Sequence, residues 1–113
     1  MIKHYKPSER YSVATIHNGV VYLCGHYASD LSKDIKGQTK ETLEAIDRSL
    51  SELGTDKSKV LSVMIHIKTM DDFAEMNSVY DRWVTEFPPV RTCVVGEMFS
   101  QECLIEVTVT AAV

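Results

Sequence analysis

The last quarter of the chain limits its possible folds most strongly, because it holds two strand-like runs that are apolar on both faces. Residues 90–98 and 103–111 consist largely of β-branched and small apolar residues, a composition typical of buried strands. A sheet that has helices on one face only leaves its other face in water. Since monomers rarely expose large apolar patches, we expect another copy of the chain to cover that face.

Two charged residues interrupt these runs, Arg91 at the start of the first and Glu106 inside the second. If the runs formed a hairpin around residues 99–102, strand spacing would place the two charges roughly 13 Å apart, too far for a salt bridge. An arginine held on a strand is suited to bidentate binding of a planar carboxylate or phosphate. The simpler interpretation, that both side chains face solvent, stays open, and so does an ion pair across a subunit contact.

The rest of the chain predicts strands and helices in the order β-β-α-β-α-β-β. Asn18-Gly19 favours a type I′ hairpin, and Gly54 is placed to end the first helix in a left-handed conformation. Residues 26–37 are polar and turn-rich and are predicted to form a loop. Periodicity predicts strands at 11–17, 20–24 and 60–68, helices at about 39–53 and from 69 to the Pro88-Pro89 pair, and an extra short strand near residues 2–6. These elements predict one α+β domain over residues 1–113, with both helices on one face of a sheet.

Composition argues against several classes of function. The 113 residues carry a net charge of -4 with no basic block, which makes nucleic acid an unlikely partner. The polar start MIKHYKPSER does not resemble a signal peptide, and no apolar run reaches the length of a membrane helix. The three cysteines have no CxxC spacing, and the four histidines form no ligand cluster. We therefore expect a cytoplasmic protein without a metal site or cofactor.

Several segments together resemble the Rid/YjgF family of reactive-intermediate imine and enamine deaminases. The stretch PPVRTCVV is followed, fifteen residues after its arginine, by IEVTVTAAV, which matches the family's P-x-R and its later strand glutamate. The hairpin leading into Leu23-Cys24-Gly25 and the segment DDFAEMNSVYDRW also match, so the resemblance runs from Tyr11 to the C-terminus. Glu9-Arg10 and Cys24-Gly25-His26 stand where familiar members have Gly-Pro and Ser-Gly-Gln, and with the AAV ending they resemble a YoaB-type branch.

This resemblance implies a chorismate-mutase-like fold, in which a mixed sheet packs against two helices. It further implies a homotrimer whose sheets form a central β-barrel, with active sites between subunits. The implied activity is hydrolysis of small 2-imino acids or enamines, such as 2-aminoacrylate, to 2-keto acids and ammonia. Such a 2-iminobutanoate/2-iminopropanoate deaminase would protect other proteins from reactive metabolites.

Residue roles follow from the same resemblance. Arg91 matches the arginine that binds the substrate carboxylate, and the main chain at Cys93 matches a second contact to it. Glu106 matches the carboxylate that polarises the attacking water. Tyr11 and Gly25 match pocket-lining residues, Tyr11 being a possible hydroxyl donor, and Asn77 matches an asparagine close to the site.

Other interpretations stay open. The protein could bind keto acids or related metabolites without turnover, or could have the endoribonuclease or translation-inhibitor activity reported under some family names. His26 is either an acid-base group or a solvated loop histidine, and the Cys93 thiol is expected to be structural. The stripe formed by Phe73, Met76, Tyr80, Val84 and Phe87 is expected to belong to the core.

Overall fold

One mixed sheet and two helices make up the protein. The computed structural model describes every residue from Met1 to Val113. The strands are β1 (Lys3–Pro7), β2 (Ser12–His17), β3 (Val20–Leu23), β4 (Val60–Ile67), β5 (Val90–Val95) and β6 (Ile105–Ala112), and the helices are α1 (Ile35–Glu52) and α2 (Phe73–Trp83). The strand order is β1-β2-β3-β6-β4-β5, and all neighbours are antiparallel except β4 and β5. The predicted α+β architecture is confirmed, including the extra strand at the N-terminus.

The core lies between the helices and one face of the sheet. In β6 every second residue from Ile105 to Ala111 is buried, and alternate residues of β4 from Val63 to Ile67 join the same cluster. Ile46 and Leu50 of α1 pack against them. The helices leave the opposite face open, and the exposed side chains there include Tyr22 and Met64.

The local turn signals act as the sequence predicts. Asn18 and Gly19 have φ values of 50° and 76°, which close the hairpin between β2 and β3. Gly54 has a φ of 81° directly after the end of α1. The second helix, by contrast, starts later than the predicted residue 69, because the Thr69 hydroxyl accepts a hydrogen bond from the Asp71 amide and caps a 3-10 turn over Met70–Asp72, after which α2 begins at Phe73.

The start of α1 and the end of α2 differ from the positions that the sequence predicts. Helix α1 begins at Ile35, four residues early, because the Asp34 carboxylate accepts a 2.9 Å hydrogen bond from the Gly37 amide and caps it. Residues 35–37 are therefore helix and not loop. Helix α2 ends at Trp83, so Phe87 lies beyond the helix with 82% of its surface exposed and does not belong to the core.

The last two strands do not form a hairpin, because β4 lies between them. Strand β4 pairs in parallel with β5 and antiparallel with β6. The β4-α2-β5 connection crosses over the sheet, and a crossover of this kind brings its two strands side by side in parallel. A register shift between Val60 and Ser62 turns Leu61 outward, although strict alternation with Val63, Ile65 and Ile67 would place it on the apolar face. No helix combines the length and the apolar character needed to cross a membrane.

Candidate functional site

Glu106 and Gly25 are in direct contact where the loop after β3 meets β6. A Cβ atom on residue 25 would overlap the Oε2 atom of Glu106 and would lie 2.8 Å from its Cδ atom. The next residue, His26, forms a β-bridge with Val107 through hydrogen bonds of 2.8 and 2.9 Å. This bridge sets the loop against β6, and only a glycine leaves room for the carboxylate in that position.

The Glu106 carboxylate lies in a depression of about 360 Å³ on the surface. We call this the Glu106 depression; it is lined by Tyr11, Cys24, Gly25, Tyr27, Phe99 and Glu106. The rings of Tyr27 and Phe99 form a tilted pair with centroids 4.5 Å apart. Glu106 has neither a hydrogen bond nor a salt bridge to another side chain, so its oxygens are free to accept one from water or a ligand.

Arg91 is held on the helix side of β5 by contacts with α2. Its Nη1 atom donates a 2.7 Å hydrogen bond to Oδ1 of Asn77. The guanidinium carbon lies 4.8 Å from the ring centroid of Tyr80 and 5.8 Å from that of Phe73. Arg91 has no carboxylate partner in the chain, so most of its five N–H donors stay available.

A second depression, of about 390 Å³, surrounds this guanidinium. We call it the Arg91 depression; it is lined by Asn77, Tyr80, Asp81, Val84, Pro88, Pro89 and Arg91. Burial raises the pKa of the Tyr80 hydroxyl, and the Arg91 charge opposes that rise. Tyr80 therefore stays neutral at physiological pH and presents its ring to the guanidinium.

Cys93 lies two residues beyond Arg91 on the same side of β5. Strand β5 ends the sheet, so one of its edges has no neighbour in the chain. The Gly96 amide bonds inward to the Ile67 carbonyl, and successive amides of a strand alternate in direction, so the Cys93 amide points to the free edge. Burial raises the pKa of the Cys93 thiol, which keeps it protonated and a poor nucleophile.

The predicted site residues thus fall into two groups. Tyr11 and Gly25 surround Glu106, whereas Asn77 and Cys93 lie close to Arg91. Arg91 pairs with Val63 on the helix side of the sheet, and Glu106 pairs with His66 on the open side. The two charged residues therefore face opposite sides and are separated by β4, roughly 14 Å apart by strand spacing. They form no ion pair within the chain.

His26 is not a solvated loop residue. Its Nδ1 atom lies 2.8 Å from the Cys24 carbonyl oxygen, and its Nε2 atom lies 2.8 Å from the Ser49 hydroxyl. Both contacts suit a neutral ring that donates from Nδ1 and accepts at Nε2. Burial lowers the pKa of His26, which favours the same neutral form. His26 therefore links helix α1 to the loop that contains Gly25.

Sequence reasoning missed Gln38, a fully buried residue of α1. Its Nε2 atom lies 2.9–3.2 Å from the carbonyl oxygens of Leu31, Lys33 and Glu102, and its Oε1 atom accepts from the Leu104 amide at 2.9 Å. One amide therefore joins the loop before α1 to the loop before β6. Gln38 lies between the loop predicted for residues 26–37 and the helix predicted from about residue 39, so no periodic pattern indicated that it is buried.

Tyr27 and Phe99 were missed as well, since a lone aromatic residue in a polar loop has no periodic signal. No cluster of three or more His, Cys, Asp or Glu side chains lies close enough together to hold a metal ion.

Comparison with known proteins identifies the family. The family model described as Endoribonuclease L-PSP matches residues 1–113. A RutC family protein of Haemophilus ducreyi is 33% identical over 100% of this chain and 97% of its own length. The RutC family protein YoaB of Escherichia coli K12 is 35% identical over 92% of this chain and 91% of its own.

A solved structure shares the fold over nearly the full length. The YjgF family member from Neisseria meningitidis superposes with a TM-score of 0.95, at 36% identity over 99% of this chain and 94% of that one. The sheet order and the two helices on one face are thus the fold of that family. With the family model matching from end to end, the chain belongs to the Endoribonuclease L-PSP family, which includes the YjgF and RutC proteins.

Proposed function

We propose that the protein is a hydrolytic deaminase of small 2-imino acids and their enamine tautomers, releasing a 2-keto acid and ammonia. The observation that carries the proposal is the separation of Arg91 and Glu106 onto opposite faces of one sheet. Each depression contains half of the required groups. A cyclic homotrimer would bring the Arg91 depression of one subunit against the Glu106 depression of the next, giving three shared sites.

Substrate binding would rest on the Arg91 side of such a site. The guanidinium is oriented by Asn77 and by the Tyr80 ring, and its free N–H groups can bind both oxygens of a carboxylate. The Cys93 amide on the free edge of β5 supplies one more donor to the same group. These contacts would fix the carboxylate and thereby direct the adjacent imine carbon toward the other subunit.

Catalysis would rest on the Glu106 side. The carboxylate has no partner in its own chain, so it can accept a hydrogen bond from a water molecule above Gly25. With the imine nitrogen protonated, Glu106 takes one proton from that water while the oxygen adds to the imine carbon, which forms a neutral carbinolamine. Glu106 then passes this proton to the nitrogen and accepts the proton of the new hydroxyl as the carbon–nitrogen bond breaks, so ammonia leaves and the carbon–oxygen double bond forms. Imines hydrolyse in water unaided, so orientation and one polarised water suffice for acceleration.

The activity can be measured with imines generated in solution. An amino-acid oxidase would produce the imine while semicarbazide traps it, and an active deaminase would reduce the rate of semicarbazone formation. Arg91→Ala is expected to abolish the effect. Arg82→Ala provides a matched control, because Arg82 lies on α2 outside both depressions.

Three outcomes separate this proposal from its competitors. Binding of 2-keto acids by calorimetry without any effect on semicarbazone formation would identify a metabolite-binding module. Salt-sensitive cleavage of RNA would identify a ribonuclease, although a chain with net charge -4 is poorly suited to bind phosphates. Imine hydrolysis that disappears with Arg91→Ala supports the deaminase. In that role the protein would act in the cytoplasm and protect other enzymes from reactive imines.

A further inference from the structure

The rings of Tyr27 and Phe99 form a pair on the protein surface. Tyr27 and Phe99 are 45% and 64% exposed, yet their rings are in contact at 4.5 Å. They come from two different loops, one after β3 and one before β6. Both rings line the Glu106 depression, so the pair forms an apolar wall next to the carboxylate.

This wall is held in place by groups beneath it. Gln38 bonds to the loop of Tyr27 through the Leu31 and Lys33 carbonyls, and to the loop of Phe99 through Glu102 and Leu104. The Lys68 ammonium also donates to the carbonyl of Gln101, two residues after Phe99. Two loops fixed to one buried amide bring their aromatic rings together before any ligand arrives, which lowers the entropic cost of binding.

The three substituents on C2 of a 2-imino acid indicate which part of the substrate the Tyr27–Phe99 wall would contact. Its C2 atom carries the carboxylate, the imine nitrogen and the side chain. In the proposed function, Arg91 of the partner subunit binds the carboxylate, and the water polarised by Glu106 of this subunit attacks C2. The side chain must take another direction, and the Tyr27–Phe99 pair supplies two of the three aromatic rings that line the Glu106 depression.

The charge of the depression restricts that side chain further. Glu106 is the one charged residue among those that line it. An acidic side chain would lie near a like charge and would lose water without gaining a partner. Each methylene placed against the rings would instead improve binding by about fourfold.

We infer that the Tyr27–Phe99 pair is the side-chain pocket of this enzyme and that it selects imines of apolar amino acids with three or more side-chain carbons. Branched aliphatic, thioether and aromatic side chains belong to this class. The inference rests on the proposed deaminase function and adds a substrate class to it. Phe99 and Tyr27 thereby become specificity-determining residues.

The test compares kcat/KM for imines derived from leucine, alanine and glutamate. The wild-type protein is expected to prefer the leucine-derived imine over the alanine-derived one by about tenfold or more. Phe99→Ala should lower that ratio about tenfold, while Phe99→Leu, which retains apolar surface, should preserve most of it. Phe87→Ala is the matched control, because Phe87 is an exposed aromatic residue outside the depression.

The outcomes distinguish this inference from the proposed function. If imines are hydrolysed but Phe99→Ala and Tyr27→Ala leave the leucine-to-alanine ratio unchanged, the pocket is refuted and the deaminase stands. If no imine is hydrolysed, the deaminase is refuted. Binding of 4-methyl-2-oxopentanoate and pyruvate then decides whether the rings select side chains. If Phe99→Ala dissociates the oligomer without changing the ratio, the rings serve a subunit contact and the inference is overturned.

Discussion

Arg91 and Glu106 lie on opposite faces of the same sheet, with β4 between their strands. No rotation of either side chain can bring both groups to one small ligand within a single chain. The two variants Arg91→Ala and Glu106→Gln should therefore each be inactive and yet complement one another. A site formed from the intact Glu106 of one variant and the intact Arg91 of the other contains both groups.

In trimers refolded from an equal mixture, about a quarter of the sites should be restored, since each site draws one residue from each of two neighbours. Turnover of the mixture and of each variant alone, with light scattering to establish the trimer, would measure this. A mixture as inactive as its components would place both residues in one subunit's site or outside the site altogether.

Substituting Arg91 by lysine tests whether carboxylate binding needs only the positive charge or also the planar geometry of the guanidinium. Arg91→Lys keeps a positive charge but loses the planar fork, so we expect a loss of turnover nearly as large as that of Arg91→Ala. Loss of the Asn77 hydrogen bond and the Tyr80 contact should cost only about 1–2 kcal/mol of stability. Thermal melting and turnover should be measured on the same samples. A folded and inactive trimer is expected, whereas normal turnover by the lysine variant would contradict carboxylate binding.

Gly25→Ala should act through Glu106. The added methyl group overlaps the carboxylate and would displace it, so turnover should fall at least tenfold while carboxylate binding persists. The stability cost, about 1–2 kcal/mol from overpacking, should vanish when Glu106→Ala is already present. Gly96→Ala is the control, since the nearest atom to its Cβ would be 3.8 Å away. Additive stability losses in the double variant would argue against the contact.

Gln38→Leu tests whether one buried amide holds the two loops. The leucine fills a similar volume but leaves the Leu104 amide and the carbonyl oxygens around it without a partner. We expect a loss of roughly 3 kcal/mol in the free energy of unfolding, measured by denaturant titration. Gln101→Leu, a substitution on the exposed surface of the same region, should change stability by less than about 0.5 kcal/mol.

His26 should make stability depend on pH. Its pKa is lowered in the folded protein by burial, against the hydrogen bond to the Cys24 carbonyl, which raises it; the charge of Arg48 lowers the pKa further and that of Glu106 raises it. The unfolded chain therefore binds the proton more readily, and stability should decline as pH falls below about 6.5. His26→Gln should reduce this decline between pH 7 and pH 5, whereas His17→Gln, on the exposed hairpin, should not. Equal slopes for both variants would exclude His26 as the cause.

Local chemistry determined much of the secondary structure from the sequence alone. Asn18-Gly19 closes a tight hairpin because few other residues adopt positive φ at both positions. Gly54 ends α1 for the same steric reason. The alternation from Val63 to Ile67 defined a core-facing strand, since side chains of a strand point to alternate faces whatever its neighbours are.

Tertiary structure decided which of these elements meet. Insertion of β4 between β5 and β6 is a non-local choice, and it set the opposite directions of Arg91 and Glu106. The bulge that exposes Leu61 and the bonds of Gln38 also depend on distant partners. Sequence patterns report the periodicity of one segment, but the partner of a strand or of a buried amide is fixed by packing across the whole domain. Arg91 and Glu106 could thus be named from the sequence, while their division into two depressions and the Tyr27–Phe99 pair beside Glu106 required the fold.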